Sequence, residues 1–241
     1  GKTSIFNALT GLNQKVGNYP GVTVEKKEGI CKLNQETKGL ILDLPGTYSL
    51  NATSIDEGIV VELLLNRENI DFPDVAVVVS DVENFKQNLL LFTQVKDLAI
   101  PTILVINMAD QIEPKGIKLD LKFLEKALNT KIVLVSTRQN TGLEELKNML
   151  AEHEGFSIEK NPTINFYAID KNYFGNLKKT FPKQSFYRLW LLVNQDNDFI
   201  KIETDNTEKI YNFKIQSPSN LKKLQQKEII KRYQLINSIL K

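Results

Sequence analysis

Four short apolar runs constrain the fold most strongly, because each is rich in Val, Ile and Leu with little alternation. The runs lie within the segments GLILDLPG, DVAVVVSD, PTILVINMAD and KIVLVST. Such runs are typical of strands that are buried on both faces of a parallel sheet. Helical patterns such as FKQNLLLFTQVKDLA and LKFLEKALN lie between them. Strands that alternate with helices predict a doubly wound α/β fold.

Polar side chains follow all four runs. They are Asp43, Asp81, Asn107 with Asp110, and Ser136 with Thr137. In open α/β sheets, ligands bind beyond the carboxyl ends of the strands. We therefore expect these side chains to lie on the functional edge of the sheet.

Composition excludes several classes of protein. The 241 residues suit one large domain or two ordinary ones, with 41% apolar and 25% charged residues. The balance of 31 basic against 29 acidic residues argues against a nucleic-acid partner. A single cysteine, Cys31, excludes an intrachain disulfide and fits a reducing compartment. Since no apolar run reaches the ~18 residues of a membrane span, we expect the chain itself to be soluble.

A change in composition near residues 153–157 divides the chain. Beyond it, no apolar run ends in a polar motif, and helical patterns such as SFYRLWLLVN and NLKKLQQKEIIKRYQLINSIL appear instead. We predict an α/β domain over 1–153 and a smaller, mainly helical domain over 154–241. In the last helix, five basic residues predict a solvated face that could also attract anionic lipid: Lys222, Lys223, Lys227, Lys231 and Arg232.

The opening segment GKTSIFNALTG predicts a helix that begins at the lysine and ends at Gly11. The tripeptide GKT matches the last three places of the phosphate-binding pattern G-x-x-x-x-G-K-[ST]. In that loop the lysine reaches the β- and γ-phosphates and the hydroxyl binds Mg²⁺. A helix N-terminus would also direct free N–H groups at an anion. The alternative is a surface Lys and Thr at an ordinary helix start.

Two further elements suit a phosphate–metal site. In DLPG, Asp43 can hold Mg²⁺ through its water shell, and the N–H of Gly46 can reach a γ-phosphate. Thr23 lies after the segment GNYPG, which predicts a mobile loop including Gly17 and Asn18. A hydroxyl there can join Mg²⁺ only when a γ-phosphate is present, as in a switch. The alternatives are an ordinary strand-ending turn and an ordinary loop threonine.

The segment NMAD predicts a guanine site. Guanine presents N1–H and N2–H₂ side by side, and the carboxylate of Asp110 can accept both, whereas adenine offers no such pair. Such a site can reject the wrong base by roughly 10⁴. Asn107 can tie neighbouring loops together, and a backbone N–H near Thr137 could meet guanine O6. The alternatives are a common loop pattern and capping hydroxyls before the next helix.

The order of the elements favours a GTPase. GKT, the loop Thr, D-x-x-G, N-x-x-D and S-T occur once each, and three of them follow apolar runs. Ras-like proteins position the attacking water with a Gln directly after D-x-x-G, but Thr47 and Tyr48 stand here. We therefore expect slow intrinsic GTP hydrolysis, in which Lys2 offsets phosphate charge and backbone groups around Thr23 place the water.

The segments GKTSIFNALTG, VGNYPGVTVEKKEG, DLPGTYSL, NMAD and VSTR together resemble the cytoplasmic GTPase domain of FeoB-type ferrous iron transporters. VGNYPGVTVE and TYSL discriminate this family from general Ras-like proteins. The resemblance covers about residues 1–150, and FYRLWLLV is similar to the helical domain that follows in that family. It implies a Ras-like P-loop GTPase domain with a mostly parallel sheet, followed by a smaller, mainly helical domain.

The resemblance also implies site residues. Catalytic roles fall on Lys2 and Thr23, and metal ligation falls on Thr3, Thr23 and Asp43. Nucleotide contacts fall on Gly1, Lys2, Thr3, Ser4, Gly21, Val22, Thr23, Asp43, Gly46, Asn107, Met108, Asp110, Ser136, Thr137 and Arg138.

Ligands, partners and location follow from the same resemblance. The ligands are GTP or GDP and Mg²⁺, with K⁺ as a further candidate. The partners are the membrane-spanning transporter domain of the same protein and further copies in an oligomer, at the cytoplasmic face of the bacterial inner membrane. Family members carry a strand and a G-x-P-N-x stretch before G-K-T. We therefore expect this chain to be a fragment that lacks the first strand and half of the phosphate loop.

The sequence is also compatible with two alternatives. A ribosome-assembly-type GTPase would carry an appended basic RNA-binding module, against which the near-neutral charge speaks. A guanine-nucleotide sensor with little hydrolysis is compatible with the missing Gln, and single-turnover hydrolysis would distinguish it.

Overall fold

The computed structural model describes residues 1–152, 161–195, 210, 213–214 and 218–240. The strands are β1 (Gln14–Asn18), β2 (Glu25–Lys32), β3 (Lys38–Asp43), β4 (Ala76–Asp81), β5 (Thr102–Asn107) and β6 (Ile132–Leu134). The helices are α1 (Lys2–Thr10), α2 (Ile55–Leu65), α3 (Phe85–Lys96), α4 (Leu121–Leu128), α5 (Leu143–Ala151), α6 (Lys171–Thr180), α7 (Phe186–Asn194) and α8 (Pro218–Ile239).

Packing divides the chain into two compact units. The first comprises Gly1–Gly46, Asp74–Phe92 and Pro101–Ser157, and the second comprises Thr47–Pro73, Thr93–Ile100 and Ile158–Lys241. These units are defined by contacts between residues, whereas the predicted domains 1–153 and 154–241 were defined by a change in amino-acid composition. The predicted boundary lies outside the described residues, and the domain division stays a prediction.

The first unit contains two three-stranded sheets. Strands β4, β5 and β6 form a parallel sheet in that order, in which Val79 lies opposite Val105. Strands β1, β2 and β3 form an antiparallel sheet, in which Ile30 lies opposite Leu40. The parallel arrangement was predicted correctly for the last three apolar runs. It was wrong for β3, which pairs antiparallel with β2 and leaves Leu40 59% exposed, because only one face of this sheet covers the core.

An apolar cluster in the first unit joins both sheets to α1 and α5. Its buried members are Ile5, Leu9, Cys31, Leu33, Ile103, Val105, Val133, Val135, Leu143, Leu146 and Leu150. Helix α1 has the predicted bounds, and Gly11 ends it with φ 61°, in the left-handed region that glycine tolerates. The predicted mobile loop is shorter than expected, because Gly17 and Asn18 belong to β1 and pair with Lys26 and Glu25.

Helices dominate the described part of the second unit. An aromatic cluster holds α6 and α7 together, with Phe166 and Trp190 packing edge-on against Phe174 at centroid distances of 5.1 and 5.0 Å. Trp190 is fully buried, as expected of a core residue. Arg232 was predicted on a solvated face, and that prediction is wrong: the side chain is fully buried against two carboxylates and the ring of Tyr187.

None of the described helices is both long enough and apolar enough to cross a membrane.

Candidate functional site

The start of α1 and the end of β3 meet in one polar cluster. The Lys2 ammonium donates to the Asp43 carboxylate and to the carbonyl of Leu44. The hydroxyl of Thr3 donates to the second Asp43 oxygen at 3.1 Å. Residues about 40 positions apart in the sequence are therefore brought together, as the phosphate–metal prediction requires.

The cluster has the donor set that Mg²⁺ prefers. Thr3 offers a hydroxyl and Asp43 a carboxylate, and Mg²⁺ is a hard cation that selects oxygen ligands. Asp43 is 8% exposed, and its carboxylate forms an ion pair with Lys2 that offsets its negative charge. The N-terminus of α1, capped by Gly1, adds free N–H groups that favour an anion. Ser4 is exposed, and its hydroxyl accepts from the Gly1 amine at 3.4 Å.

The loop that carries Thr23 is closed by backbone hydrogen bonds. Tyr19 N donates to Val24 O at 3.0 Å, and Gly21 adopts φ 76°. Thr23 is exposed, and in the described residues no hydrogen bond joins it to Lys2, Thr3 or Asp43. The structure thus leaves Thr23 outside the cluster, and its switch role stays a prediction, as do the contacts of Gly21 and Val22. Gly46 is exposed, with nothing within 4 Å of an added Cβ.

The end of β5 and the turn after β6 form a second polar cluster. Asn107 is 1% exposed, and its buried side-chain oxygen has no hydrogen-bond partner in the described structure. Met108 adopts φ 63° and turns the chain, so that Ala109 N donates to Val135 O at 3.1 Å. Asp110 follows in a short 3₁₀ turn. A buried acceptor without a partner is costly, which marks this position as one that a ligand or a water would satisfy.

Two side chains hold the Asp110 carboxylate. The hydroxyl of Ser136 donates to one oxygen at 2.7 Å, and the Gln111 amide donates to the other at 2.9 Å. The hydrogen bond from Ser136 is the main cause that lowers the pKa of Asp110; the Gln111 bond and the charge of Arg138 lower it further. Asp110 is therefore an ionised acceptor near neutral pH, as guanine recognition requires.

The turn after β6 is tightly built. Ser136 and Thr141 exchange two backbone hydrogen bonds of 3.1 Å, and the Ser136 hydroxyl also accepts from Gln139 N at 3.1 Å. Gly142 has φ 77°, and an added Cβ would lie 1.9 Å from the Leu134 carbonyl oxygen. Sequence reasoning missed Gln111 and Gly142, although the NTG triplet at 140–142 is a turn signal. Thr137 and Arg138 lie in this turn, and their base contacts stay predictions.

Comparison with known proteins identifies the family. The family model described as Ferrous iron transport protein B matches residues 1–150. The chain belongs to the ferrous iron transport protein B family. An Fe(2+) transporter FeoB from Leptospira biflexa is 45% identical over 161 residues, which are 66% of this chain and 23% of the relative. The chain thus spans about a quarter of that relative's length.

Solved structures of the FeoB family share this fold. The cytosolic domain of the T. maritima FeoB iron transporter in a GDP form has a TM-score of 0.83 and 28% identity, covering 100% of this chain and 92% of that one. The same domain in a GMPPNP form has a TM-score of 0.82 and 27% identity, covering 100% and 93%. The predicted fold class, a Ras-like α/β domain with a helical part, is confirmed.

Proposed function

We propose that this chain binds guanine nucleotides with Mg²⁺ and hydrolyses GTP slowly, as the regulatory part of a ferrous iron transporter. The observation that carries the proposal is the pair of clusters at strand ends. One contains Lys2, Thr3 and Asp43, and the other contains Asp110 and Ser136. The T. maritima domain described in GDP and GMPPNP forms supports a guanine-nucleotide ligand.

Each cluster has a separate task. Lys2, which contacts Asp43 here, would reach phosphate oxygens, and Thr3 and Asp43 would hold Mg²⁺ directly or through water. Mg²⁺, when bound, neutralises charge that develops on the phosphates. Asp110 accepts the two N–H donors of guanine while Ser136 keeps the carboxylate oriented. The remaining contacts proposed from the family resemblance, including Met108, Thr137 and Arg138, complete the base site.

Slow turnover is the expected rate because Thr47 and Tyr48, rather than the Gln that places water in Ras-like proteins, follow DLPG. The hydroxyl of Thr47 donates to the Ser49 carbonyl at 2.6 Å, and Tyr48 is 64% exposed. This observation also favours a second candidate, a nucleotide sensor that hydrolyses little. Family membership speaks against the ribosome-assembly alternative.

The remaining proposals concern the whole protein. The relatives are named as Fe(2+) transporters, so we assign this chain to the cytoplasmic face of a bacterial membrane, beside the transporting part of the same protein. The division into 1–153 and 154–241, the role of K⁺ and the formation of an oligomer belong to the same proposal.

Single-turnover hydrolysis tests the proposal. The protein is mixed with a substoichiometric amount of GTP or ATP, with K⁺ or Na⁺, and phosphate release is followed over time. GTP hydrolysis well above the uncatalysed rate, with no ATP hydrolysis, is expected. Tight GTP binding without phosphate release would favour the sensor, and equal use of ATP would overturn the assignment.

A further inference from the structure

Helix α8 presents a face that carries lysines and no acid. We define the lysine face as Lys222, Lys223, Lys227, Lys231 and Ile230, all of which are exposed. The 22-residue helix contains one acidic residue, Glu228, and one arginine, Arg232. Both of these are fully buried, so the exposed charge of the helix is entirely positive.

The buried charges are fully engaged with one another. Arg232 donates to Glu228 at 2.7 Å and to Asp97 at 2.8 Å. The indole of Trp190 donates to the other oxygen of Glu228 at 2.9 Å. Glu228 is therefore paired with Arg232 and Trp190, and it forms no ion pair with the lysines that precede and follow it in the helix.

The spacing of the lysines is unfavourable for the stability of the helix. Lys223, Lys227 and Lys231 repeat at four-residue intervals, so their side chains form one row along the helix. Like charges at this spacing destabilise a helix. Among the residues that the structure describes, none of these lysines lies within 4 Å of a carboxylate, so no ion pair there offsets the row.

The apolar member of the face points to a lipid surface. Ile230 is 55% exposed, and at 100° per residue it falls between the directions of Lys222 and Lys227. A basic face that also carries an exposed apolar residue is typical of helices that bind membrane interfaces. Helix α4 is a useful contrast, because its exposed Lys122 and Lys126 alternate in the sequence with the acidic residues Asp120 and Glu125, neither of which is fully buried.

We propose that the lysine face of α8 binds the anionic phospholipid headgroups of a bilayer. The inference rests on the proposed function, since part of a transporter works beside a membrane. Charge complementarity selects the occupant: each lysine near an anionic surface raises partitioning by about fivefold, and the effect is screened by salt. The consequence is that α8 is held along the membrane surface.

Vesicle co-sedimentation tests the proposal. The protein is mixed with vesicles of about 30% phosphatidylglycerol in phosphatidylcholine, or with phosphatidylcholine alone. The test variant carries Lys223→Gln, Lys227→Gln and Lys231→Gln, and the control carries Lys118→Gln, Lys122→Gln and Lys126→Gln, with the same change in net charge. We expect partitioning to the anionic vesicles to fall by at least about tenfold in the test variant and by at most about twofold in the control. Partitioning of the unmodified protein should also fall when the salt concentration is raised.

Other outcomes would contradict the proposal. Equal losses of vesicle binding in both variants would show that only the net charge of the protein matters. Binding of duplex RNA but not of vesicles would assign the lysine face to nucleic acid. GDP titration of each variant, with circular dichroism to confirm folding, separates this proposal from the proposed function. A test variant that binds GDP normally but leaves the vesicles supports the lipid site. Vesicle binding without any nucleotide binding would retain the lipid site and remove the GTPase.

Discussion

The Ser136 hydroxyl lies 2.7 Å from the Asp110 carboxylate, and the two residues come from loops after neighbouring parallel strands. The contact gives the serine hydroxyl in the turn after β6 a role that a small apolar side chain could not fill. It aligns the acceptor and lowers its pKa, so that the ionised form persists to lower pH.

Ser136→Ala should therefore shift the acid limit of guanine binding. The lowered pKa keeps Asp110 ionised, and binding is lost as the pH falls through that pKa; without Ser136 the pKa rises, so binding is lost at a higher pH. GDP affinity measured from about pH 3 to 7 checks this, since the pKa of an ordinary Asp is about 3.9, with an expected loss of roughly three- to tenfold near neutrality. Ser238→Ala on α8 is the control, and an unchanged acid limit would contradict the role.

Thr23→Ala should separate the two nucleotide states. The loop places Thr23 apart from the Lys2 cluster, so GDP affinity should stay within about twofold while hydrolysis slows at least tenfold. Thr3→Ala is the comparison, since its hydroxyl serves both states and its loss should weaken GDP and GTP alike. Equal loss of GDP binding in Thr23→Ala would make Thr23 a structural residue.

Gly142→Ala should destabilise the turn that carries Ser136. A methyl group would meet the Leu134 carbonyl at 1.9 Å and would occupy a backbone with φ 77°. We expect a loss of about 2–3 kcal/mol in the free energy of unfolding, measured by urea denaturation. Gly116→Ala is the matched control, because its φ of 63° costs the same conformational strain but its surroundings are open. Equal losses of unfolding free energy in both variants would show that the chain removes the clash with the Leu134 carbonyl without losing stability.

Arg232→Met should leave two buried carboxylates without a cation. Breaking one partner of a buried pair costs about 3–5 kcal/mol of unfolding free energy, whereas Lys231→Met on the exposed neighbour should cost at most about 0.5 kcal/mol. Burial already raises the pKa of Asp97, and the loss of Arg232 raises it further. Protonation relieves the penalty, so the deficit should shrink as the pH falls. A loss of unfolding free energy that does not change with pH would indicate that Arg232 contributes packing and not charge.

The sequence predicts those parts of this structure that depend on local patterns. The bounds of α1 follow from apolar spacing and Gly11, and the strand ends at Asp43 and Asn107 follow from short apolar runs. These signals depend on residues within one turn or one strand, so no tertiary information is needed.

Long-range partners were beyond the reach of those patterns. The sequence predicts Arg232 to be a surface cation, because its partner Asp97 lies 135 residues earlier and no local pattern joins the two. Strand β1 carries five exposed residues and no apolar alternation, so only its pairing with β2 reveals it. The support that Gln111 gives to Asp110 depends on side-chain orientation, which a residue pattern does not specify.

The most direct test of the central claim is the nucleotide preference of Asp110→Asn. The variant presents an amide donor where guanine also has a donor and xanthine has an acceptor, so the protein and the variant are titrated with GTP, XTP and ATP. We predict that GTP affinity falls by on the order of 10²-fold or more and that XTP becomes the preferred ligand, with ATP weak throughout. Unchanged preference for GTP would remove Asp110 from the base site and contradict the account.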